Sequence, residues 1–259
     1  MRIATWNVNS VNARIDTVAA WLREASPDVV CLQELKCLEE KFPAPVFEEL
    51  GYNVAVFGQK TYNGVAIASK LPMGDIRRSL PGRDDDEQAR YIEAVIEAPR
   101  PVRVGCIYLP NGNPIGTEKF TYKLEFMERL RRHAGDLLRL EEALVLCGDY
   151  NVIPEPRDAR FPENWTRDAL FQPESRAAWR AFKGLGLSDA HEIAGEPEGT
   201  YTFWDYQAGS WRRNNGIRID HHFLSPQAAD RLLGIETHRD ARDMEKPSDH
   251  VPVVIELAD

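Results

Sequence analysis

Residues 144–151 read LVLCGDYN: four apolar residues, a glycine, and then an acid, a tyrosine and an amide. A short apolar run of this kind, bounded by a turn-forming residue, is typical of a buried β-strand. The stretch therefore predicts a strand whose end carries side chains, Asp149 and Asn151, that can bind cations or phosphate. The same arrangement recurs along the chain, and it indicates both the fold class and the kind of site to expect.

Ten short runs are predicted to be strands, and several of them alternate apolar and polar residues as a half-buried strand does. They are residues 2–6, 28–33, 53–58, 64–69, 91–97, 102–108, 143–148, 217–225, 232–237 and 251–257. Asn63-Gly64 is a typical tight-turn pair, so residues 53–69 are predicted to form a hairpin.

Helical spacing of apolar residues predicts helices at 11–24, at 117–139 and near 174–183. In the second helix Thr117 is a candidate N-cap, and its apolar stripe is predicted to consist of Phe120, Leu124, Met127 and Leu130. Strands that outnumber helices and alternate with them predict a layered α/β sandwich of mixed sheets covered by helices, rather than a doubly wound parallel sheet.

No repeat or low-complexity tract marks a boundary, so one domain spanning residues 1–259 is expected. The irregular segments 72–90, 152–172 and 195–216 exceed ordinary loop length and are expected to be functional. The chain has neither a long apolar run nor a leader-like start, which predicts a soluble, cytoplasmic protein that does not enter a membrane. Its four cysteines form no CxxC pair and are predicted to be buried, reduced thiols.

A net charge of −9 counts against a nucleic-acid partner, because phosphate binding prefers a basic surface. The charge is unevenly distributed, however. Residues 117–140 carry six Lys/Arg against four Asp/Glu, and residues 205–218 carry three against one, so each segment has a net charge of +2. A basic face on an acidic protein is therefore compatible with the sequence, although a solvated surface explains such excesses equally well.

Four further predicted strands have polar groups at their ends: Asn7 and Asn9, Glu34, Asp220, and the pair Asp249-His250. Any one of these residues is more often a turn former or a cap, but five such strand ends together are unusual. Mg²⁺ prefers oxygen ligands and is often held by one or two carboxylates, a role that suits Glu34. The set as a whole indicates phosphodiester hydrolysis.

In such a reaction Asp149 suits the task of orienting or deprotonating the attacking water. Donors to the growing phosphate charge are available in Asn7, Asn151, Tyr108 and His250, the last as an imidazolium held by Asp220. The sequence has no zinc cluster, glycine-rich phosphate loop or nucleophile elbow, so a covalent mechanism is not expected.

Five motifs resemble, in order and spacing, the signatures of the exonuclease III family of apurinic/apyrimidinic endonucleases. They are TWNVNS at 5–10, LQELK at 32–36, GDYN at 148–151, RIDH at 218–221 and KPSDHVP at 246–252. The resemblance covers residues 1 to about 257. The GDYN and SDH motifs alone indicate the wider endonuclease/exonuclease/phosphatase superfamily, and the LQELK, YLPNG (108–112) and RID elements narrow it to the DNA-repair branch.

The resemblance implies a four-layer α/β sandwich, two packed mixed β-sheets flanked by helices. It implies a metal-dependent nuclease of base-excision repair, which incises 5′ to abasic sites and degrades duplex DNA from 3′ ends. A monomer is expected only because the sequence shows no strong self-association feature. Glu34 would bind Mg²⁺ or Mn²⁺, with Asn7 and Asp249 nearby and also involved in metal binding. Asp149 and Asn151 would orient the water, and His250, paired with Asp220, would contact the scissile phosphate. Tyr108 would do the same or assist the leaving group.

The resemblance also suggests DNA contacts. The aromatics Phe203 and Trp204, in the segment YTFWDY at 201–206, would line a pocket for a baseless sugar or simply pack their loop. The sequence has Phe203 where the family often has Trp, and Gln207 where it often has Arg. Further candidate contacts are Asn9, Arg90 and Lys119.

Three points stay open at this stage. Lys119 and Lys123 lie one turn apart and either face phosphate or are solvated. His222 shares a strand face with Asp220 but is expected to be a hydrogen-bonded structural histidine.

Alternative functions are a phosphatase or phosphodiesterase acting on a small molecule or lipid head group, and a non-catalytic DNA-binding relative.

Overall fold

Twelve strands form two six-stranded sheets that pack face to face in the computed structural model, which describes residues 1–259. In chain order they are β1 (Arg2–Asn7), β2 (Val29–Gln33), β3 (Asn53–Phe57), β4 (Val65–Ser69), β5 (Met73–Arg78), β6 (Tyr91–Ile96), β7 (Val102–Tyr108), β8 (Leu144–Asp149), β9 (Ser188–Asp189), β10 (Asp220–Leu224), β11 (Leu232–Thr237) and β12 (Val253–Leu257). The first sheet has the order β11-β12-β1-β2-β4-β3, and the second has the order β5-β6-β7-β8-β10-β9.

Both sheets are mixed. β1 pairs with β2, and β7 with β8, in parallel, whereas the other neighbouring strands are antiparallel. The α-helices are α1 (Ile15–Ala25), α2 (Ala44–Glu49), α3 (Glu118–Leu138), α4 (Pro173–Gly184), α5 (Ala190–Ile193) and α6 (Pro226–Ala229). Six short 3-10 helices lie at Asn12–Arg14, Glu39–Lys41, Pro156–Asp158, Pro162–Trp165, Gln207–Gly209 and Arg239–Asp243.

Alternating side chains of each strand enter different hydrophobic clusters, because successive residues point to opposite faces of a sheet. In β8, Val145 and Cys147 pack between the two sheets, whereas Leu144 and Leu146 pack against α3 and α4. The outer face of the first sheet is covered in the same way by α1. The predicted α/β sandwich of two packed mixed sheets flanked by helices is confirmed.

The register of the second sheet brings three predicted site residues side by side. Tyr108 at the end of β7 is opposite Asp149 at the end of β8, and Asp149 is opposite Asp220 at the start of β10. In the first sheet, Asn7 ends β1 beside Gln33 at the end of β2, directly before Glu34. The polar ends of both sheets therefore meet at one edge of the sandwich.

Several elements differ from the sequence predictions. β5 lies inside segment 72–90, which was expected to be irregular, and it is an edge strand with largely exposed side chains. The two-residue strand β9 and the helix α2 carry no pattern long enough to be recognised. β10 begins at Asp220 rather than at residue 217, because Ile217 pairs instead with Ala159 and Phe203 through isolated bridges.

The hairpin predicted for residues 53–69 is present, since β3 pairs antiparallel with β4. Its connection is the loop 58–64, however, and not a two-residue turn. Asn63 and Gly64 adopt positive φ angles of 54° and 92°. Their backbone groups bond to other segments, with the Asn63 carbonyl accepting from Lys36 and the Gly64 amide donating to Ala89.

The predicted apolar stripe of α3 is wrong at its N-terminal end. Phe120 and Leu124 are only half-buried, and the fully covered face instead includes Lys123, which enters between two loops. Thr117 occupies the N-cap position without capping the helix through its side chain, and its hydroxyl donates to the carbonyl of Pro114 at 2.7 Å. The spacing of apolar residues could not reveal which face of α3 is buried, because that face is set by the elements against which the helix packs.

All four cysteines are buried, as predicted, and each has a free thiol. None of the helices combines the length and apolar character that crossing a membrane requires.

Arg218 anchors the loop that leads to the polar edge. Its guanidinium is buried and bonds to Asp158 at 2.8 Å and to Asp189 at 2.9 Å. Burial alone would raise the pKa of Asp189, but the charge of Arg218 outweighs it and lowers that pKa. One cation thus connects the Pro156–Asp158 helix, β9 and the approach to β10.

Replacing Arg218 by Met should leave two buried carboxylates without their partner. We expect the free energy of unfolding to fall by about 3–5 kcal/mol at pH 7, the usual cost of breaking a buried pair. Urea denaturation measures the change. The exposed Arg212 is a matched control, and Arg212→Met should change stability by less than about 0.5 kcal/mol. A loss for Arg218→Met as small as that of the control would contradict this assignment.

Candidate active site

The polar strand ends surround a narrow cavity of about 230 Å³ at the edge of the sandwich. It is lined by Glu34, Tyr108, Asn111, Asp149, Asn151, Trp165, Asp168, Leu170, Phe203, Ile219, Asp249 and His250. A larger cavity of about 780 Å³, between α1 and β11, contains none of the predicted site residues. The smaller cavity therefore holds the chemistry, because it collects the titratable groups with shifted pKa values.

Asn7 joins the two sheets at this cavity. Its fully buried amide nitrogen donates to Glu34 Oε1 and to Asp149 Oδ2, both at 2.9 Å. The amide oxygen accepts from the backbone of Asn9 at 3.0 Å. One neutral side chain thus holds a carboxylate from each sheet, which lets two negative groups approach without direct contact.

Asp149 is the buried centre of the site, with an exposed fraction of 1%. Besides Asn7, it accepts hydrogen bonds from the backbone of Asn151 at 2.9 Å and from the Asn151 amide at 3.2 Å. Burial raises the pKa of Asp149 to about 7, against the lowering effect of the His250 charge. A carboxyl group with such a pKa can exchange a proton near neutrality, as a general base requires.

His250 lies between two carboxylates. Its Nδ1 is 2.9 Å from Asp220 Oδ2, and its Nε2 is 3.8 Å from Asp149 Oδ2. Burial alone would lower the pKa of His250, but the charges of Asp220 and Asp149 raise it to about 10. Thr202 donates to the same Asp220 oxygen at 2.6 Å. The ring is therefore an imidazolium at neutral pH, a buried cation suited to a phosphate oxygen.

Glu34 stays ionised and accessible. Burial would raise its pKa, but the hydrogen bond from Asn7 and the charge of Lys36 lower it. Lys36 Nζ lies 2.9 Å from Glu34 Oε2, and the Glu34 side chain is 18% exposed. Among the site carboxylates it has the features that a ligand to a divalent cation needs: charge, an oxygen donor and access.

The donors at this edge fit a hard divalent cation, because carboxylate and amide oxygens dominate the cavity. Asp149, Asp220 and His250 have donor atoms within 4.8 Å of one another. Because His250 Nδ1 is already paired with Asp220 and the His250 side chain is buried, the partly exposed Glu34 beside Asn7 is the better position. One oxygen of Asp220, the buried Oδ1, lacks a hydrogen-bond partner. Asp249 lines the same cavity and accepts from Asn9 at 3.1 Å.

Three site residues adopt left-handed backbone conformations: Asn9, Glu34 and Asn151 have φ angles of 46°, 54° and 47°. Such angles are uncommon outside glycine, and non-glycine examples cluster at functional sites. Each residue lies within two positions of the end of a strand, where this backbone conformation turns the chain away from the sheet.

Tyr108 lies under the guanidinium of Arg90, whose central carbon is 4.8 Å from the ring centroid. Burial raises the pKa of Tyr108, and the nearby charges of Glu34 and Asp149 raise it further. The phenol therefore remains protonated and can donate a hydrogen bond. Arg90 also donates to the Tyr108 carbonyl at 3.3 Å, so it contacts a residue of the cavity lining without belonging to that lining itself.

The structure places the two aromatic candidates in different surroundings. Phe203 lines the cavity, with its ring centroid 5.0 Å from that of His250. Trp204 is completely buried, and its indole nitrogen donates to Asn214 at 3.1 Å. The expectation that Trp204 lines the pocket is wrong, because alternation along the loop turns the two adjacent side chains in different directions.

The two lysines of α3 also differ in their exposure. Lys119 is exposed on the first turn of α3, where it is free to approach a ligand. Lys123 is fully buried, so neither of the alternatives considered for it, phosphate contact or solvation, is correct.

His222 is buried, and burial lowers its pKa to about 4. Neither of its ring nitrogens makes a hydrogen bond of normal geometry, contrary to prediction.

Sequence reasoning missed five cavity residues: Trp165, Asp168, Leu170, Ile219 and Asn111. The first three lie in segment 152–172, whose unusual length was the available signal. Ile219 stands beside Asp220 in the RIDH motif, but an apolar residue there carries no chemical signal of its own.

Replacing Asp220 by Asn should remove the charge that stabilises the His250 imidazolium. We expect the pKa of His250 to fall from about 10 by about 1–3, the usual effect of one close opposite charge. An NMR titration of the ring resonances measures it. The ring resonances of His191 serve as the internal control, because burial is the main cause that lowers the pKa of His191 to about 4.

The same substitution should make stability depend less on pH. A raised folded pKa stabilises the protein fully below the unfolded value of 6.5, and this stabilisation is lost as pH rises through about 10. The difference in unfolding free energy between wild type and Asp220→Asn should therefore be largest below pH 6.5 and shrink toward pH 10. An unchanged pKa of His250 would refute the pairing.

The chain is similar to known proteins along its whole length. Residues 4–250 match the model of the Endonuclease/Exonuclease/phosphatase family. Exodeoxyribonuclease III of Haemophilus influenzae is 32% identical over 270 aligned positions, covering 99% of this chain and 100% of the relative.

Two solved structures are also similar. One is a 3′-5′ exonuclease from Neisseria meningitidis, with a TM-score of 0.95, 37% identity and full coverage of both chains. The other is an AP endonuclease from Archaeoglobus fulgidus, with a TM-score of 0.93, 37% identity and 99% coverage of each chain.

Proposed function

Because this chain belongs to the endonuclease/exonuclease/phosphatase family, we propose that it is a DNA-repair nuclease. It hydrolyses the phosphodiester bond 5′ to an abasic site and removes nucleotides from the 3′ ends of duplex DNA. The relatives named as exodeoxyribonuclease III and as AP endonuclease support both activities. The observation that carries the proposal is the buried Asp149, joined through Asn7 to Glu34 and facing the His250 cation.

Each side chain has a task that its surroundings suit. Asp149 accepts a proton from the attacking water, since its pKa lies near 7, and Asn151 fixes the orientation of that carboxylate. His250, held as a cation by Asp220, donates to a phosphate oxygen on which negative charge grows. Tyr108, a protonated phenol, donates at the same phosphate or to the leaving oxygen.

The family depends on divalent metals, and the oxygen donors at this edge suit Mg²⁺ or Mn²⁺. Glu34 would hold the ion, with Asn7 and Asp249 beside it. The chemistry that such an ion supplies when bound is neutralisation of negative charge on the phosphate. Lys36 now occupies one Glu34 oxygen, so binding requires this lysine to share its partner.

The cavity supports a preference for baseless sugars. At about 230 Å³ it is small, and its apolar walls include Phe203, Leu170 and Ile219. An intact nucleotide carries a base that such a space excludes by size, whereas an abasic sugar can enter. Asn9, Arg90 and Lys119 are proposed to contact the DNA backbone. Asn9 donates to Asp249, Arg90 stacks on Tyr108, and Lys119 is exposed on α3.

The partner is therefore duplex DNA with abasic sites or 3′ ends. The net charge of −9 does not oppose this partner, because acids such as Asp84, Asp85 and Glu87 lie in a loop outside the cavity lining.

We propose that the protein acts as a monomer in the cytoplasm. The four free thiols fit a reducing compartment.

The decisive assay compares a duplex carrying one abasic site with the matching intact duplex, with Mg²⁺ and with chelator. We expect metal-dependent incision confined to the abasic strand. Glu34→Ala should lower kcat/KM by about 10²-fold or more, because several kcal/mol of charge stabilisation depends on the ion. Glu49→Ala removes an exposed carboxylate on α2 and should leave cleavage unchanged. Equal activity of the two variants would reject Glu34 as the metal ligand, and absence of cleavage by wild type would reject the function.

Phe203→Ala should weaken the choice of abasic over intact DNA by about 10-fold, since apolar contacts in such a pocket contribute about 1–3 kcal/mol. The ratio of the cleavage rates of the abasic duplex and the intact duplex measures the effect. Trp204→Phe is the matched control, because Trp204 is buried away from the cavity lining. It should lower stability without changing that ratio, and a larger change for Trp204→Phe than for Phe203→Ala would contradict the pocket assignment.

A further inference from the structure

Lys123 is a fully buried lysine in the middle of a helix. Its exposed fraction is 0%, and no other lysine of the chain is buried. Lysine is among the residues least often buried, because its ammonium loses water and its long chain loses freedom. A methionine or leucine would fill the same space without that cost, so the amine at this position calls for an explanation beyond packing.

The ammonium group connects two loops at the edge of the cavity. Its Nζ donates to the carbonyl of Asn111 at 3.1 Å and to the carbonyl of Asn151 at 2.5 Å. Asn111 follows β7, and Asn151 follows β8. Both residues line the cavity, whereas Lys123 itself is absent from its lining. The lysine therefore touches the backbone behind the site and not the space in which a substrate would lie.

The two tied residues are also joined on their cavity side. The amide of Asn111 donates to Asn151 Oδ1 at 3.2 Å, and the amide of Asn151 donates to Asp149 Oδ2 at 3.2 Å. Asn151 donates as well to the carbonyl of Leu109 at 2.9 Å. A shift of either backbone carbonyl would thus change the angle at which Asn151 meets the buried carboxylate.

The loop after β7 closes directly on the lysine stem. A Cβ added at Gly112 would lie 2.6 Å from Cδ of Lys123, so only glycine permits this approach. Burial lowers the pKa of Lys123 to about 7, and the charges of Asp149 and Asp168 oppose that effect.

We propose that Lys123 is a positioning residue for the nuclease reaction: its amine ties the Asn111 and Asn151 carbonyls so that the Asn151 amide orients Asp149. The inference rests on the function proposed above. It explains why an amine is kept behind the site, and it assigns no contact with substrate or metal to Lys123.

The test is kinetic analysis of abasic-duplex cleavage by Lys123→Met, which keeps the length of the stem but removes both hydrogen bonds. We expect kcat to fall by about 10²-fold, the effect of a small misplacement of a reacting group. KM and the Mg²⁺ concentration for half-maximal rate should stay within about threefold, since the positioning model leaves binding intact. Leu137→Ala is the control, because Leu137 is a buried residue of the same helix outside the cavity lining. It should lower stability and leave kcat unchanged.

A second readout uses non-additivity. If Lys123 acts through Asn151, Lys123→Met should cost less than about threefold in an Asn151→Ala background, because residues that act as a unit are not additive. A full additional loss of about 10²-fold in that background would overturn the proposal. So would a wild-type kcat for Lys123→Met, or an equal loss of kcat in Leu137→Ala.

If Lys123→Met does not fold, Lys123→Gln replaces it, since its amide keeps polarity but is too short to reach both carbonyls. A folded Gln variant with lowered kcat and unchanged KM supports the proposal, and one with wild-type kcat overturns it. Failure of wild type to cleave abasic DNA is a different result, because it removes the proposed function rather than the role of Lys123.

Discussion

The bridge made by Asn7 is the interaction on which the site depends. Glu34 belongs to one sheet and Asp149 to the other, and a single buried amide donates to both at 2.9 Å. Two carboxylates this close would repel each other in a poorly hydrated space, so a neutral donor between them is a condition for the two sheets to meet here. The sandwich brings the strand ends together, and the Asn7 amide offsets the repulsion between the two carboxylates.

The charges behind this bridge are arranged in alternation. Asp149 is followed by the His250 cation, and His250 by Asp220, whose oxygen also accepts from Thr202. Alternating signs keep each buried charge paired, which is why the pKa of His250 rises while that of Asp149 stays within reach of neutrality. A base and a cation thus coexist within 3.8 Å, the combination that phosphodiester hydrolysis uses.

Two buried basic side chains outside the cavity hold the loops that carry these residues. Arg218 pairs with Asp158 and Asp189 on the β10 side, and Lys123 holds two backbone carbonyls on the β7 and β8 side. Their partners differ in a way that suits each side chain, since a guanidinium matches two carboxylates and an ammonium matches converging carbonyl dipoles. The precision of the site therefore comes from groups that a substrate does not reach.

The sequence by itself determined the strands of the core, the fold class and the residues of the chemical centre, because these follow from local patterns. Apolar runs that end in Asp149, Glu34 or Asn7 can be recognised without knowing what they pack against. Tertiary structure alone decided which adjacent aromatic lines the cavity, Phe203 and not Trp204, and which α3 lysine is buried. It also decided the pKa values, since these depend on burial and on charges distant in the chain. The contacts and the solvation of a side chain are set by neighbours from other segments of the chain. The linear sequence pattern contains no information on how far away those neighbours lie.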